Sequence, residues 1–184
     1  MRNKLIIITF ICLVFVQIAI PFSMIMKREF VLRSGAEFKF KTAPVDPYDA
    51  FRGRYVALRL EGDEVTVSRG LRLHSGQNVY ALISADEQGY ANLTSVIDRK
   101  PANEPYIQAK VRYLSGDKAK LDLGIDRYYM EEKSAPKAER VFRQQSRGDK
   151  QGAYLSVKIK GGFPVIQALD VGGKRIEDAV RDIN

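Results

Sequence analysis

Residues 78–97 read NVYALISADEQGYANLTSVI and form the clearest structural pattern in the chain. Two runs that alternate between apolar and polar residues, 78–84 and 90–97, flank the segment Asp86-Glu87-Gln88-Gly89. A polar segment ending in glycine between two such runs is typical of a β-hairpin. The stretch therefore predicts two antiparallel strands joined by a tight turn.

The same alternation continues on both sides of this hairpin. In residues 37–41, Phe38 and Phe40 fall on one face of a predicted strand. In residues 54–60, Val56, Leu58 and Leu60 fall on one face of a second strand. Further strands are predicted at 65–67, 106–114, 119–123, 154–160 and 165–171. Seven to nine strands of this length indicate one β-sandwich or partly open β-barrel.

One segment has a helical pattern instead. Ser134 is suited to cap a helix and Pro136 fits its first turn, so a helix is predicted to about Gln145. Its basic residues recur every three or four positions, at Lys137, Arg140, Arg143 and Arg147. Such a stripe either contacts lipid headgroups or is the solvated face of a packed helix. The predicted fold class is therefore mainly β, with one inserted α-helix.

Composition narrows the kinds of site that the chain can hold. Its 184 residues include one Cys and one His, which exclude an internal disulfide and make a Cys/His zinc site within the chain unlikely. The formal net charge is +8. No cofactor or metal is predicted.

Residues 5–26 contain no charged side chain and are long enough to cross a membrane as a helix of about 33 Å. Basic residues flank the run, Arg2 and Lys4 before it and Lys27 and Arg28 after it. A cleaved signal peptide also begins with a basic segment, but no clear small-residue cleavage pattern follows here. We expect an uncleaved anchor at 1–28 in the lipid bilayer and a β-rich domain at 29–184.

A short segment before the anchor favours a cytoplasmic N-terminus, which places the domain outside the cytoplasm, on the periplasmic side in a Gram-negative cell. Residues 27–184 carry a net charge of +6. Outside the cytoplasm, lipid headgroups and wall polymers are nearer partners for this charge than nucleic acid, so no nucleic-acid partner is expected. A solubilising surface explains the charge equally.

Residues 43–60 read APVDPYDAFRGRYVALRL and resemble the GDYXXLXY family of membrane-anchored bacterial proteins of uncharacterised function. Gly53, Tyr55 and Leu58 match the naming motif, whereas Arg54 stands in place of its Asp and Leu60 in place of its second Tyr. The change at Arg54 reverses a charge.

Two later blocks, 123–132 (LGIDRYYMEE) and 165–174 (VIQALDVGGK), are similar to the same family, so the resemblance covers about residues 38–177. It implies an anchored domain outside the cytoplasm, with a neighbouring membrane protein as its expected partner, and no established catalytic residue. The motif residues are Asp46, Pro47, Tyr48, Asp49, Arg52, Gly53, Tyr55, Leu58, Gly124, Arg127, Tyr128, Tyr129 and Glu132.

Two sets of motif residues have both a structural and a functional interpretation. Asp46 and Asp49 either cap a helical turn that begins at Pro47, or bind a cation. In an extended segment, Arg127 and Tyr128 face opposite sides of the strand. Arg127 then either pairs with Asp46 or Asp49, or lines an anion or glycan site beside aromatic rings.

A hydrolase interpretation rests on a faint likeness to type I signal peptidases, with Ser23 as nucleophile and Lys110 as base. Ser23 falls inside the apolar run, so this is the weakest alternative. We expect a non-enzymatic interaction module that acts with an integral membrane protein. The alternative is a small-ligand or glycan-binding domain.

Overall fold

Strands make up most of the chain after a long first helix. The computed structural model describes residues 2–44, 55–67, 70–131, 134–146 and 152–182. In chain order the elements are α1 (Arg2–Ser34), β1 (Ala36–Pro44), β2 (Tyr55–Leu60), β3 (Glu64–Thr66), β4 (Asn78–Ala85), β5 (Ala91–Ile97), β6 (Tyr106–Ser115), β7 (Lys118–Asp122), β8 (Arg127–Tyr129), α2 (Ala135–Ser146), β9 (Ala153–Lys160), β10 (Phe163–Val171), β11 (Lys174–Arg175) and α3 (Ile176–Arg181).

The strands form two antiparallel sheets. One has the order β11-β10-β9-β1-β2-β8 and the other β3-β7-β6-β4-β5. A parallel bridge between Lys39 and Tyr90 joins β1 to the β5 end of the second sheet. The Gln108 amide of β6 donates to the Gly162 carbonyl at the β9–β10 turn, at 2.9 Å. These links nearly close the sheets into a barrel, which confirms the predicted fold class.

The hairpin at residues 78–97 forms as predicted. The Gly89 amide donates to the Asp86 carbonyl at 2.9 Å, and Gly89 adopts a φ of 82° that favours glycine. The Asp86 carboxylate accepts the amides of Gln88 and Tyr90, and the Tyr90 bond above all keeps the pKa of Asp86 below its usual value. The carboxylate of Asp86 therefore stabilises the turn in which this residue lies.

Alternation along the strands produces the core. Phe40, Ile107, Leu155 and Leu169 are almost completely buried between the sheets. The α2 helix follows the prediction and buries Ala138, Val141 and Phe142, whereas Lys137 and Arg140 are exposed. Arg147 and the side chain of Arg143 lie outside the description.

The short helix α3 is an addition to the predicted elements. It buries Ile176, Ala179 and Val180, and it packs against α2 and β10. Its N-cap residue, Arg175, makes no side-chain capping hydrogen bond. Tertiary packing therefore stabilises this helix. No capping pattern in the sequence predicts it.

The first helix continues past the predicted anchor boundary and docks on the domain. Val31 is buried, and its carbonyl accepts the Gly35 amide at 2.8 Å. A Cβ at Gly35 would lie 2.6 Å from the Val31 oxygen and 3.1 Å from backbone atoms of Ile159, so the chain needs glycine here. Residues 6–34 are long and apolar enough to cross a membrane, and their most apolar window is not buried by the domain.

Candidate functional site

The motif residues are partly described by the structure. Tyr55 and Leu58 lie in β2, Gly124 precedes β8, and residues 127–129 form β8 itself. The others lie outside the described residues: Asp46, Pro47, Tyr48, Asp49, Arg52, Gly53 and Glu132. An ion pair between Arg127 and Asp46 or Asp49 therefore stays a prediction.

The first and second motif blocks meet through strand pairing. Tyr55 lies opposite Tyr129, and Ala57 opposite Arg127, in the antiparallel pair of β2 and β8. The Leu58 amide donates to the Asp126 carbonyl at 2.9 Å. Among the described strands, β8 is the outermost of its sheet and pairs only with β2.

Tyr55, Arg127 and Tyr129 form a guanidinium–aromatic cluster on this strand pair, here called the Tyr55 cluster. The Arg127 guanidinium carbon lies 5.2 Å from the Tyr55 ring centroid, and the two tyrosine rings are 5.7 Å apart at 58°. A hydrogen bond with Tyr129 and then the charge of Asp126 raise the pKa of Arg127. Tyr129 is nevertheless 67% exposed. The three side chains thus contact one another while one ring stays accessible.

Tyr128 faces the other way, as expected for neighbouring residues of a strand. Its hydroxyl donates a hydrogen bond to Glu177 Oε1 in α3. Burial raises the pKa of Tyr128, and the bond with the Glu177 carboxylate raises it further. This residue joins β8 to the C-terminal helix, which is a structural role.

A groove runs beside the C-terminal part of α1. It consists of two cavities of about 540 and 440 Å³ that share Arg28, Gly124 and Pro164 in their walls. The larger cavity extends towards Tyr80 and Lys110, and the smaller one towards the second motif block. We call this feature the Arg28 groove. Gly124 shapes its wall through a turn in which its amide donates to Asp122 Oδ1 at 3.0 Å and its φ is 68°.

Charges of both signs line the Arg28 groove, but they are not equivalent. The carboxylates of Asp122 and Asp126 lie 3.3 and 3.6 Å from Arg112 Nη2, so the single positive charge of Arg112 partly offsets their two negative charges. Arg28, Lys110 and Arg127 also line the groove and form no ion pair within the described residues. The groove therefore offers cationic groups to a ligand.

Other chemistry has less support in the described part of the chain. The Ser23 hydroxyl donates to the Ile20 carbonyl at 2.7 Å inside the apolar helix. Within the ranges that the structure describes, no group of three or more His, Cys, Asp or Glu side chains is placed to hold a metal ion.

Sequence reasoning did not connect the residues of the groove. In the sequence, Arg28 is a flank of the apolar run, and Lys110 is the base of the hydrolase alternative. No pattern in the sequence marks Pro164 as a site residue. Only the docking of α1 next to the β9–β10 turn places them together.

A model of the family described as GDYXXLXY protein matches residues 17–169, which is most of the chain. The chain belongs to the GDYXXLXY family. The match begins within α1 and ends in β10, so the GDYXXLXY region includes every residue of the Tyr55 cluster and of the Arg28 groove. No curated protein and no solved structure matches the chain significantly.

Proposed function

We propose that this GDYXXLXY protein is a membrane-anchored, non-enzymatic interaction module whose domain acts outside the cytoplasm on a neighbouring integral membrane protein. The Tyr55 cluster is the observation that carries the proposal. Tyrosine and arginine are enriched at the centres of protein interfaces, and Tyr129 is exposed on β8, the outermost of the described strands in its sheet.

The joint between helix and domain supports the proposal. Lys27 Nζ lies 4.1 Å from the Phe163 ring centroid, and Lys160 Nζ lies 4.0 Å from that of Phe30. Lys160 also donates to Ser34 Oγ at 2.8 Å. These contacts hold the domain in a defined orientation on its helix, so that an anchored domain presents one surface to its neighbours in the membrane.

The local chemistry supports a non-enzymatic role. The Tyr55 cluster combines two tyrosine rings tilted at 58° with a guanidinium whose protonated form is stabilised, a combination suited to binding. Ser23 is the nucleophile of the hydrolase alternative, and its hydroxyl donates a hydrogen bond to a carbonyl of its own helix.

The test is to purify full-length protein from its own membranes in mild detergent and to identify co-purifying proteins by mass spectrometry. Tyr129→Ala removes an exposed ring, and we expect it to reduce recovery of a membrane-protein partner about tenfold or more. Tyr113→Ala is the matched control, because Tyr113 is also exposed, at 49%, but lies outside the Tyr55 cluster. Equal recovery with both variants would contradict the proposal.

The smaller cavity favours a second candidate function, binding of a glycan or other small ligand. Its volume of about 440 Å³ is within the usual range for ligand sites, and the second motif block lines it. Exposed aromatic rings such as Tyr129 suit stacking on sugar faces. We would titrate the full-length protein with N-acetylglucosamine oligosaccharides. A rise in thermal midpoint that Arg127→Ala abolishes would support this function over the first.

A further inference from the structure

The position of the Arg28 groove relative to the apolar run is fixed by the helix that carries Arg28. The uncharged run ends at Met26, and Arg28 follows two residues later, about 3 Å further along the helix axis. When α1 spans a bilayer, Arg28 therefore lies at the depth of the lipid headgroups. The part of the groove that Arg28 lines therefore lies at the same level.

The cationic side chains of the groove come from three separate elements. Arg28 belongs to α1, Lys110 to β6 and Arg127 to β8. All three are exposed, and none forms an ion pair within the described residues. Arg28 and Lys110 line the larger cavity, and Arg28 and Arg127 line the smaller one. Guanidinium and ammonium groups in the wall of one groove suit phosphate oxygens, which accept several charge-assisted hydrogen bonds.

The lining also has apolar surface beside the cations. Phe163 and Pro164 lie in the wall next to α1, and Tyr80 lines the larger cavity. A ligand with an anionic head and an apolar body would fit such a wall. Its head would contact the cations, and its apolar body would lie against α1. A lipid combines these features.

We propose that the Arg28 groove binds a phosphate-type anion at the membrane surface, in the form of the headgroup of an anionic lipid. The inference rests on the anchored state that the proposed function assumes, but it needs no partner protein. The groove would fix the lipid next to α1, with Arg28 as the central contact and Lys110 and Arg127 on either side.

Native mass spectrometry of the full-length protein in non-ionic detergent tests this proposal. Phosphatidylglycerol, phosphatidylcholine and inorganic phosphate are added separately. We expect retention of phosphatidylglycerol at least tenfold above that of phosphatidylcholine. Arg28→Gln and Lys110→Gln should each lower this retention about tenfold, since each removes charge-assisted bonds.

Arg33→Gln is the matched control. Arg33 lies on the same helix and is exposed, but it pairs with Glu29 and does not line the groove. We expect it to retain phosphatidylglycerol like the wild type. An equal loss with Arg33→Gln would mean diffuse charge attraction, and unchanged retention with Arg28→Gln would mean a different site. Either outcome overturns the proposal.

The assays with phosphatidylcholine and inorganic phosphate distinguish a lipid headgroup from a soluble phosphate as the ligand. If inorganic phosphate binds with the same dependence on Arg28 and phosphatidylglycerol gains nothing over phosphatidylcholine, the ligand is a soluble phosphate and the lipid assignment is overturned. Because these assays contain only purified protein and lipid or phosphate, their failure is distinguishable from failure of the partner experiment, which is read at Tyr129.

Discussion

The hydroxyl of Tyr128 donates a hydrogen bond to the Glu177 carboxylate, across 49 residues of sequence. The bond joins β8, which carries two members of the Tyr55 cluster, to α3, which packs on the rear of the same sheet. The strand that carries the proposed partner-binding surface is thus bonded on its opposite face to Glu177, a residue outside the family match.

Removal of this bond should weaken the domain. We expect Tyr128→Phe to lower the free energy of unfolding by about 1 to 2 kcal/mol, because a hydrogen bond to a charged group is lost and a half-buried carboxylate is left without its donor. Chemical denaturation followed by circular dichroism measures this change. Tyr106→Phe is the matched control, since the Tyr106 hydroxyl is buried and finds no hydrogen-bond partner among the described residues. An equal or larger loss in Tyr106→Phe would contradict the argument.

The same bond predicts a pH dependence. Burial and Glu177 raise the pKa of Tyr128 above its ordinary value of 10.0. The folded protein then keeps a proton that the unfolded chain loses, so the stabilisation is complete below pH 10 and is lost as the pH rises further. The stability difference between wild type and Tyr128→Phe should be constant from pH 7 to 9 and should shrink above pH 10. A difference that stays constant across the alkaline range would show that Tyr128 titrates normally.

The joint between α1 and the domain depends on Gly35. We expect Gly35→Ala to destabilise the domain by about 1 to 3 kcal/mol, because the new Cβ would meet backbone atoms of Val31 and Ile159 that cannot move aside independently. Gly152→Ala is the control, as a Cβ at Gly152 meets nothing within 4 Å. Thermal unfolding of the two variants in detergent measures the contrast. Similar midpoints for both would mean that α1 does not dock as closely as described.

The strands were predictable because their signal is local. Alternating burial of residues such as Val79, Ala81 and Ile83 follows directly from the sequence pattern, and Gly89 marks the turn. The helix at 135–146 was predictable for the same reason, from Ser134 and Pro136. The α3 helix was not, since it is six residues long and lacks a side-chain N-cap. Its stability comes from contacts that only the folded chain provides.

The candidate site was predictable only in part. The likeness of blocks 43–60 and 123–132 to one family marked Tyr55, Arg127 and Tyr129, and strand pairing places them in contact. The Arg28 groove had no such signal. Arg28 and Lys110 are 82 residues apart, and their approach depends on how α1 docks against the β9–β10 turn. A pattern along the chain does not encode that geometry.

The side of the membrane on which the domain lies can be tested with the single native cysteine removed. Cys12 lies in the apolar helix, and Cys12→Ser gives a background without a thiol. In that background, Lys118→Cys places a thiol at an exposed position of the β6–β7 hairpin, and Asn3→Cys places one at the start of α1. With the domain outside the cytoplasm, a maleimide that does not cross the cytoplasmic membrane should label the Lys118→Cys protein in intact cells and the Asn3→Cys protein only after permeabilisation. The reverse labelling pattern would place the domain in the cytoplasm, and the Tyr55 cluster would then need a cytoplasmic partner.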